Sequence, residues 1–203
     1  MIKTVIFDIG GVLVNFSWDK FIHEVLCDES EEIIRRVDFA VWENNRWDAL
    51  DLGEPLEKVI NGMIKNDPAC EKQIKYLFAN IGKCVSRREG SIEWIKNLKS
   101  RGLQVLYLSN YSHTVMDANK SALDFLPYMD GGIFSCDVHV VKPDKKIYEL
   151  LAQKYNLNPS ECVFIDDLAQ NIEGAKNFGF NGIKLNSVEQ AQQDLNNMLN
   201  LKK

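Results

Sequence analysis

The chain has no long run of apolar residues and no block of basic residues. No stretch approaches the roughly 18 consecutive apolar residues of a membrane-spanning helix. The short apolar run near the N-terminus contains Asp8, so we expect neither a membrane span nor a signal peptide. The 24 basic and 29 acidic residues give a formal net charge of −5. We therefore expect no general binding to nucleic acid or to a membrane, although an acidic chain can still hold a local site for a small anion.

Zinc-ligand and disulfide spacings are absent as well. The five cysteines are odd in number and contain no Cys-x-x-Cys pair, and the three histidines show no zinc-ligand spacing. These features predict a cytoplasmic protein whose reduced thiols mostly fill its core. The sequence also contains no low-complexity tract and no obvious repeat, which argues against a repeat architecture.

What is present is the composition of a soluble globular protein, with 45% hydrophobic and 26% charged residues. A chain of 203 residues is long enough for one domain, or for one domain with a modest insertion. Its pattern has three parts: a buried strand and turn over residues 2–14, a helical segment over 17–88, and alternating helix and strand patterns from residue 90 onward. We expect no strand of useful length in the helical segment.

The alternation in the last part predicts the fold class. Helical patterns lie near residues 17–26, 30–49, 54–65, 70–82, 91–100, 114–124, 143–155, 169–178 and 187–199. Further buried strands are expected over residues 104–109, 133–135, 162–166 and 182–185. Pro143 is expected to open its helix, because proline is tolerated in a first turn. Buried strands that alternate with helices indicate an α/β fold, a parallel sheet with helices on both faces, whose ligand site lies beyond the carboxyl ends of the strands.

Polar residues stand at the ends of three of these strands. Asp8 follows the first strand, and it is either a polar stop or a nucleophile that attacks a phosphoryl group. Gly10 and Gly11 come next, and they either form a tight turn or let backbone N–H groups approach a ligand. Ser109 and Asn110 end the second strand, and they form either a turn or a pair of groups that hold an oxyanion.

Two further positions carry charge towards the same edge of the sheet. Lys142 is either a solvated lysine before a helix or a charge that neutralises the nucleophile and the transferring group. Asp166 and Asp167 are adjacent carboxylates at a strand end, and a helix N-cap accounts for one of them at most. Such a pair suits Mg²⁺, which takes hard oxygen ligands, and Asn171 is placed to orient the pair.

Four motifs in this order resemble the haloacid-dehalogenase-like hydrolase superfamily. They are FDIGGVL, LSN, VKPDKKIY and VFIDDLAQNIEGAKNFGF, and the resemblance spans nearly the whole chain. Within the superfamily the chain is most similar to small sugar-phosphate phosphatases, of which α-D-glucose-1-phosphate phosphatase is an example. The resemblance implies a Rossmann-like core formed by residues 1–14 and 89–203, with an all-helical cap inserted over residues 15–88.

The resemblance also implies roles for the residues at the sheet edge. Asp8 would be the nucleophile and a ligand of Mg²⁺, and the Gly10 carbonyl a second ligand. Asp167 would bind Mg²⁺ directly, with Asp166 bound directly or through water. Ser109 and the Asn110 backbone would bind the phosphoryl group, with Gly10 and Gly11 beside it, and Lys142 would bridge nucleophile and phosphate.

One position departs from the pattern of most phosphatases of this superfamily. They have a second aspartate two residues after the nucleophile, which protonates the leaving group and later activates water, and here that position is Gly10. Losing a general acid costs on the order of 10²–10⁴-fold in rate. Gly10 thus leaves three interpretations: a phosphatase with another acid, such as a water, a cap residue or a substrate hydroxyl; a slow phosphatase; or a catalytically silent relative.

Two rival functions remain open alongside a Mg²⁺-dependent phosphatase of small phosphorylated metabolites. Haloacid dehalogenases also lack the second aspartate, but they work without Mg²⁺, their late motif breaks up the acidic pair, and they carry Tyr where this chain has Gly10. A silent binding protein is favoured by Gly10 but not by the retained Asp8, Lys142 and acidic pair. A test with EDTA, an aryl phosphate and a haloacid separates the three functions.

The predicted cap is expected to set specificity for a small phosphorylated metabolite, in a protein that is a monomer or a small homo-oligomer. The segment Val41–Glu54 offers aromatic and polar side chains for a sugar, namely Trp42, Asn45, Arg46, Trp47 and Asp48. The tryptophans are alternatively core residues of the cap. Arg46 is either an exposed charge or a clamp on the phosphate.

Overall fold

A computed structural model describes residues 1–200, and it contains a five-stranded parallel sheet in the order β5-β4-β1-β6-β7. These strands are β1 (Thr4–Phe7), β4 (Gln104–Ser109), β5 (Gly131–Phe134), β6 (Cys162–Asp166) and β7 (Asn181–Lys184). The predicted α/β fold with a parallel sheet is confirmed. The central strand β1 pairs with β4 on one side and β6 on the other, in registers that place Phe7 opposite both Tyr107 and Ile165.

Helices cover both faces of the sheet, because successive side chains of each buried strand point to opposite faces. On one face Ile6 and Phe164 pack in the same apolar cluster as Tyr148 of α9. On the other face the ring of Phe7 meets Trp94 of α6, with ring centroids 4.8 Å apart. The helices of this part are α6 (Ser91–Ser100), α7 (His113–Ala118), α8 (Ser135–Val138), α9 (Lys145–Lys154), α10 (Ala169–Phe178) and α11 (Val188–Asn200).

The segment between β1 and α6 is mostly helical, as predicted. Its helices are α1 (Trp18–Val25), α2 (Glu31–Trp42), α3 (Arg46–Asp51), α4 (Leu56–Asn66) and α5 (Glu71–Ala79). No strand of useful length was expected over residues 17–88, and among the described residues this range holds one three-residue strand, β3 (Val85–Arg87), which pairs antiparallel with β2 (Val14–Phe16). Three-residue strands are too short to produce a periodic pattern. The division into a core and a cap at these boundaries stays a prediction.

Three predicted helices have different limits in the structure. The run over residues 30–49 is broken into α2 and α3, since Asn44 and Asn45 adopt φ of 56° and 54°, a left-handed conformation that asparagine tolerates. The run over residues 114–124 ends as an α-helix at Ala118 and continues as a short 3₁₀ turn. Pro143 lies outside α9, whose N-cap is Asp144: the Asp144 side chain accepts a hydrogen bond from Lys146 N. Among the described residues, none of the helices is long and apolar enough to cross a membrane.

Candidate active site

The predicted polar residues meet at one edge of the sheet because their strands are neighbours in it. Asp8 directly follows β1, Ser109 ends β4 and Asp166 ends β6, and β1 lies between the other two. The backbone N–H of Asp8 donates to Ile165 O at 2.9 Å, which continues the β1–β6 pairing up to the site. Parallel strands thus deliver three side chains from distant parts of the chain to one place.

Lys142 joins two of the carboxylates. Its Nζ lies 2.8 Å from Asp8 Oδ1 and 2.7 Å from Asp166 Oδ2, and its side chain is 1% exposed. Asn110 holds the lysine backbone, since its Oδ1 accepts from Lys142 N at 2.8 Å and its Nδ2 donates to Lys142 O at 3.1 Å. The side-chain amide of Asn110 therefore positions Lys142 and is not turned towards an oxyanion. Binding of the phosphoryl group by the Asn110 backbone stays a prediction.

Asp8, Asp166 and Asp167 form an acidic cluster, in which one carboxylate oxygen from each residue lies within 4.8 Å of those from the other two. The ammonium of Lys142 lies among these carboxylates, and the guanidinium of Arg88 also lowers the pKa of Asp167, so three carboxylates still outnumber the two nearby cations when all are ionised. Buried charge without compensation is costly, and a divalent cation with oxygen ligands supplies the missing compensation. The donor set fits Mg²⁺, as the sequence predicted.

Within the acidic cluster the two adjacent aspartates are held differently. Asp166 is fully buried, and its oxygens accept hydrogen bonds from Leu168 N at 2.7 Å, from Asn171 Nδ2 at 3.1 and 3.0 Å, and from Lys142. Its lone pairs are largely used, and the expected orienting role of Asn171 is confirmed for Asp166. Asp167 is half-buried and lines the adjacent cavity, so Asp8 and Asp167 are better placed than Asp166 to contact a cation.

The two glycines after Asp8 differ in what surrounds them. Gly11 has φ of 69°, and a Cβ there would lie 2.3 Å from Asp167 Oδ2, so only glycine lets this turn approach the carboxylate. Its carbonyl accepts a hydrogen bond of 2.8 Å from Arg88. A Cβ on Gly10 would meet no atom of the described residues within 4 Å. Nothing in its surroundings requires glycine at position 10.

Burial dominates the electrostatics of these groups. It raises the pKa of Asp8; the positive charge of Lys142 opposes that shift and the negative charge of Asp166 adds to it. Burial likewise raises the pKa of Asp167, and the charge of Asp166 adds to the rise. For Lys142 burial acts in the opposite sense, but the charges of Asp8 and Asp166 prevail and raise its pKa. Lys142 therefore favours its charged form in the site.

A cavity of about 490 Å³ opens beside the acidic cluster, which is within the range of small-ligand sites. Asp8, Gly10, Gly11, Asn110 and Lys142 line it, and their contact with a substrate stays a prediction. Ser109 does not line the cavity, and its hydroxyl interacts with the carboxylate of Asp8. Within residues 1–200, two lining residues have a buried polar atom without a hydrogen-bond partner, the hydroxyl of Tyr111 and Oδ1 of Asn171. Unpaired buried polar atoms cost free energy, so their concentration here indicates that they face a bound polar group or water.

The helical segment supplies the remaining wall of the cavity. Trp47 and Asp48 line it, whereas Trp42, Asn45 and Arg46 do not. The structure does not bring Arg46 to the site: its guanidinium packs against Gly62 of α4, where a Cβ would lie 3.0 Å from Arg46 Cζ. The tryptophans also pack on one another, with Trp42 and Trp47 stacked at 5.2 Å. Trp47, 9% exposed, is thus part of the interior of this segment and also presents a surface to the cavity, whereas Trp42 is 40% exposed.

Several residues at the cavity wall were missed by the sequence analysis, Phe16 and Asp51 among them. Phe16, in the short strand β2, adds a second aromatic ring beside Trp47. Asp51, the last residue of α3, is 9% exposed and lines the same cavity as Asp8. Its spacing of four from Trp47 places it on the buried face of the helix, and a carboxylate at such a position was the signal available in the sequence.

A buried carboxylate next to a lysine and two further aspartates, at the carboxyl edge of a parallel sheet, defines a site for acid–base and nucleophilic chemistry on a small ligand. The sequence matches the family model of haloacid dehalogenase-like hydrolases over residues 2–179. The chain belongs to the haloacid dehalogenase-like hydrolase family, as the four motifs indicated. This family is one of hydrolases.

Curated relatives of the chain include both phosphatases and dehalogenases. D-ribitol-5-phosphate phosphatase from Bacteroides thetaiotaomicron is 24% identical, over 98% of this chain and all of its own length. (S)-2-haloacid dehalogenase from Pseudomonas sp. strain YL is 26% identical, over 88% of this chain and 80% of its own. The chain spans only 10% of acyl-CoA dehydrogenase family member 10 from Mus musculus, with 34% identity over 52% of this chain. It spans half of (S)-2-haloacid dehalogenase 4A from Burkholderia cepacia.

Solved structures share the fold over nearly the whole chain. A predicted HAD-like family hydrolase from Porphyromonas gingivalis superposes with a TM-score of 0.79 at 20% identity, covering 98% of both chains. A HAD family enzyme from Bacteroides thetaiotaomicron, solved in complex with magnesium and inorganic phosphate, has a TM-score of 0.73 at 18% identity, covering 91% of this chain and 94% of its own. At these identities the likeness establishes the fold alone.

Proposed function

We propose that this protein is a Mg²⁺-dependent phosphatase of small phosphorylated metabolites, sugar phosphates in particular, which acts through an aspartyl-phosphate on Asp8. The observation that carries the proposal is the acidic cluster beside Lys142. Three carboxylates within 4.8 Å of one another have a use in phosphoryl transfer, where a divalent cation and a lysine offset the charge of the phosphoryl oxygens. The complex of a structural neighbour with magnesium and inorganic phosphate agrees with this proposal.

Each residue of the site has a task in this reaction. An oxygen of Asp8 attacks phosphorus while Lys142 stabilises the carboxylate and the charge that develops on the phosphoryl oxygens. Ser109 Oγ, a buried hydroxyl beside Asp8, donates to a phosphoryl oxygen. Asp8 and Asp167, oriented by the Gly11 turn, and the Gly10 carbonyl would hold the cation, which when bound neutralises the phosphoryl charge.

The cavity wall supports a sugar phosphate as the substrate class. Trp47 and Phe16 offer aromatic surface to the C–H face of a sugar, while Asp48 offers a carboxylate to its hydroxyls. A volume of about 490 Å³ accommodates a small metabolite but not a macromolecule. The pentitol-phosphate phosphatase among the relatives acts on a ligand of this kind.

A second candidate function is favoured by the haloacid dehalogenases among the relatives. Such an enzyme would use Asp8 to displace halide from carbon and would have no need of the charge that a cation supplies. The acidic cluster argues against it, because displacement of halide from a carboxylate substrate gains nothing from two further carboxylates beside the nucleophile. A silent binding protein is the third possibility, and it predicts neither reaction.

The test measures phosphate release from 4-nitrophenyl phosphate and from a panel of hexose and pentitol phosphates, and halide release from (S)-2-chloropropionate, each with Mg²⁺ or with EDTA. We expect Mg²⁺-dependent phosphate release that falls at least about 10³-fold in Asp8→Asn, since the nucleophile is lost. Asp19→Asn, at an exposed aspartate of α1, is the matched control and should retain full activity. Halide release that EDTA does not affect would establish the dehalogenase, and no turnover of either kind would establish the silent protein.

A further inference from the structure

We propose that Asp51 is the proton donor to the leaving group, the role left open by Gly10. The inference rests on the proposed phosphatase function. The site described so far has no general acid for the leaving group. Asp8 attacks phosphorus and Lys142 stays charged, so neither supplies a proton to a departing alkoxide. The next buried carboxyl group on the cavity wall is Asp51.

The position of Asp51 is fixed by contacts between α3 and the strand-end segments of the sheet. Ser135 Oγ, directly after β5, donates to Asp51 O at 2.6 Å. The ring Nδ1 of His139 makes a hydrogen bond of 2.8 Å with Leu52 O. Gly53 follows with φ of 83°, and a Cβ there would lie 2.7 Å from Cys136 O. These contacts hold the end of α3 against the same layer that carries Asp8, which is the pre-organisation that proton transfer requires.

The direction of the substrate places its leaving group near Asp51. A phosphoryl group between Asp8, Ser109 and Lys142 extends its ester oxygen towards the rest of the cavity, whose wall is formed by Phe16, Trp47, Asp48 and Asp51. Asp48 is exposed, whereas Asp51 is 9% exposed. A buried carboxyl group keeps a proton that an exposed one loses to water, so Asp51 is the donor of the two.

The electrostatic surroundings of Asp51 suit a group that gives and regains a proton near neutral pH. Burial raises the pKa of Asp51 to about 7, the charges of Asp48 and Asp8 add to the rise, and Lys142 opposes it. An acid is most effective when its pKa lies near the working pH. The titratable or charged groups that act on Asp51 from the surrounding elements are Asp48, Asp8, Lys142, Tyr111 and Cys136.

Protons and electrons balance over the two steps of the reaction. In the first, an Asp8 oxygen bonds to phosphorus, the P–O bond to the leaving group breaks, and its electron pair takes the proton of the Asp51 carboxyl. In the second, water attacks phosphorus, the P–O bond to Asp8 breaks, and the Asp51 carboxylate accepts the proton of that water. The products are the free alcohol and inorganic phosphate, and Asp51 returns to its protonated form.

The experiment compares two aromatic phosphates of similar size with Mg²⁺ present. 4-Nitrophenyl phosphate has a leaving group that departs without a proton, whereas benzyl phosphate releases a strongly basic alkoxide. We expect Asp51→Asn to lower kcat on benzyl phosphate by about 10²–10⁴-fold and to lower kcat on 4-nitrophenyl phosphate by a factor at least about tenfold smaller. Asp48→Asn is the matched control, from the same helix and cavity wall, and should change both substrates by the same factor.

The outcomes are distinguishable from failure of the proposed function. Equal losses on the two substrates in Asp51→Asn would make Asp51 a structural or hydroxyl-binding residue and would overturn the proposal. Wild-type protein without Mg²⁺-dependent turnover of 4-nitrophenyl phosphate would instead overturn the phosphatase itself. A second measurement needs no variant: in the wild type, kcat for benzyl phosphate should fall as the pH rises through about 7, and kcat for 4-nitrophenyl phosphate should lack this decline. The same decline on both substrates would also overturn the proposal.

Discussion

Removing the charge of Lys142 should destabilise the protein in a way that depends on pH. Lys142→Met leaves Asp8, Asp166 and Asp167 without the one ammonium that lies among them. Removal of one partner from a buried ion pair costs about 3–5 kcal/mol, because the remaining charge stays buried without compensation. We expect a loss of that size in the free energy of unfolding at pH 7.5 without metal.

The pH dependence follows from the sign of the pKa changes. Without Lys142 the folded-state pKa values of the carboxylates rise further, so the folded protein binds more protons than the unfolded chain at pH 5.5. Stability then increases as the pH falls, and the defect of Lys142→Met should shrink by up to about 2.7 kcal/mol between pH 7.5 and 5.5, the value for one extra proton over two pH units. Mg²⁺ at pH 7.5 should reduce the defect as well, since it supplies positive charge.

The assay is urea unfolding followed by circular dichroism at both pH values, with and without Mg²⁺. Lys145→Met is the control, because Lys145 is 72% exposed and makes only a surface ion pair with Glu149 at 3.5 Å. Such pairs contribute about 0–1 kcal/mol. If Lys142→Met were no less stable than Lys145→Met at pH 7.5, the description of Lys142 as the charge that balances the acidic cluster would be wrong.

Two further predictions concern Gly11 and Asp51. Gly11→Ala should raise the Mg²⁺ concentration for half-maximal activity at least about tenfold, because the added Cβ would displace Asp167. Gly90→Ala is the control: its φ is 82° and no atom of the described residues lies within 4 Å of the added Cβ, so it should suffer only backbone strain of about 1–2 kcal/mol and keep its Mg²⁺ requirement. Equal Mg²⁺ requirements in the two variants would contradict the account. Asp51 has a folded-state pKa of about 7 against an ordinary value of 3.8, so its contribution to stability is full below pH 3.8 and is lost as the pH rises through 7. Urea unfolding from pH 5 to 8 should therefore show a smaller decline in Asp51→Asn than in the wild type, and parallel declines would show that Asp51 does not titrate in this range.

The site residues at the carboxyl edge of the sheet could be predicted from the sequence, because their positions depend on local patterns. Asp8, Ser109 and Asp166 each end an apolar strand, and the rule that parallel strands deliver their carboxyl ends to one edge needs no knowledge of long-range contacts. The Ser-x-x-Gln spacing of Ser187 and Gln190 is likewise a local pattern, and it forms a capping box at the start of α11: Gln190 N donates to Ser187 Oγ at 3.1 Å, and Ser187 N donates to Gln190 Oε1 at 3.4 Å.

The cavity wall supplied by α3, which faces this edge of the sheet, could not be predicted from local patterns. Whether Arg46 or Asp51 reaches the cavity depends on how α3 docks, and that docking rests on contacts such as the bond between Ser135 Oγ and Asp51 O, which joins residues 84 positions apart. The break at Asn44 and Asn45 turns α3 away from the line of α2, and an amphipathic pattern that continues through both helices conceals it. The side chains of α3 that reach the cavity can therefore be identified only once the break at Asn44 and Asn45 is known.

The most direct test of the central claim is a crystal structure of the protein with Mg²⁺ and trifluoroberyllate, which imitates a phosphoryl group on a carboxylate. We expect beryllium bonded to an Asp8 oxygen, Lys142 and Ser109 Oγ in contact with fluorine atoms, and Mg²⁺ in contact with Asp8 and Asp167. Electron density without a cation among the three carboxylates, and with no beryllium on Asp8, would contradict the account.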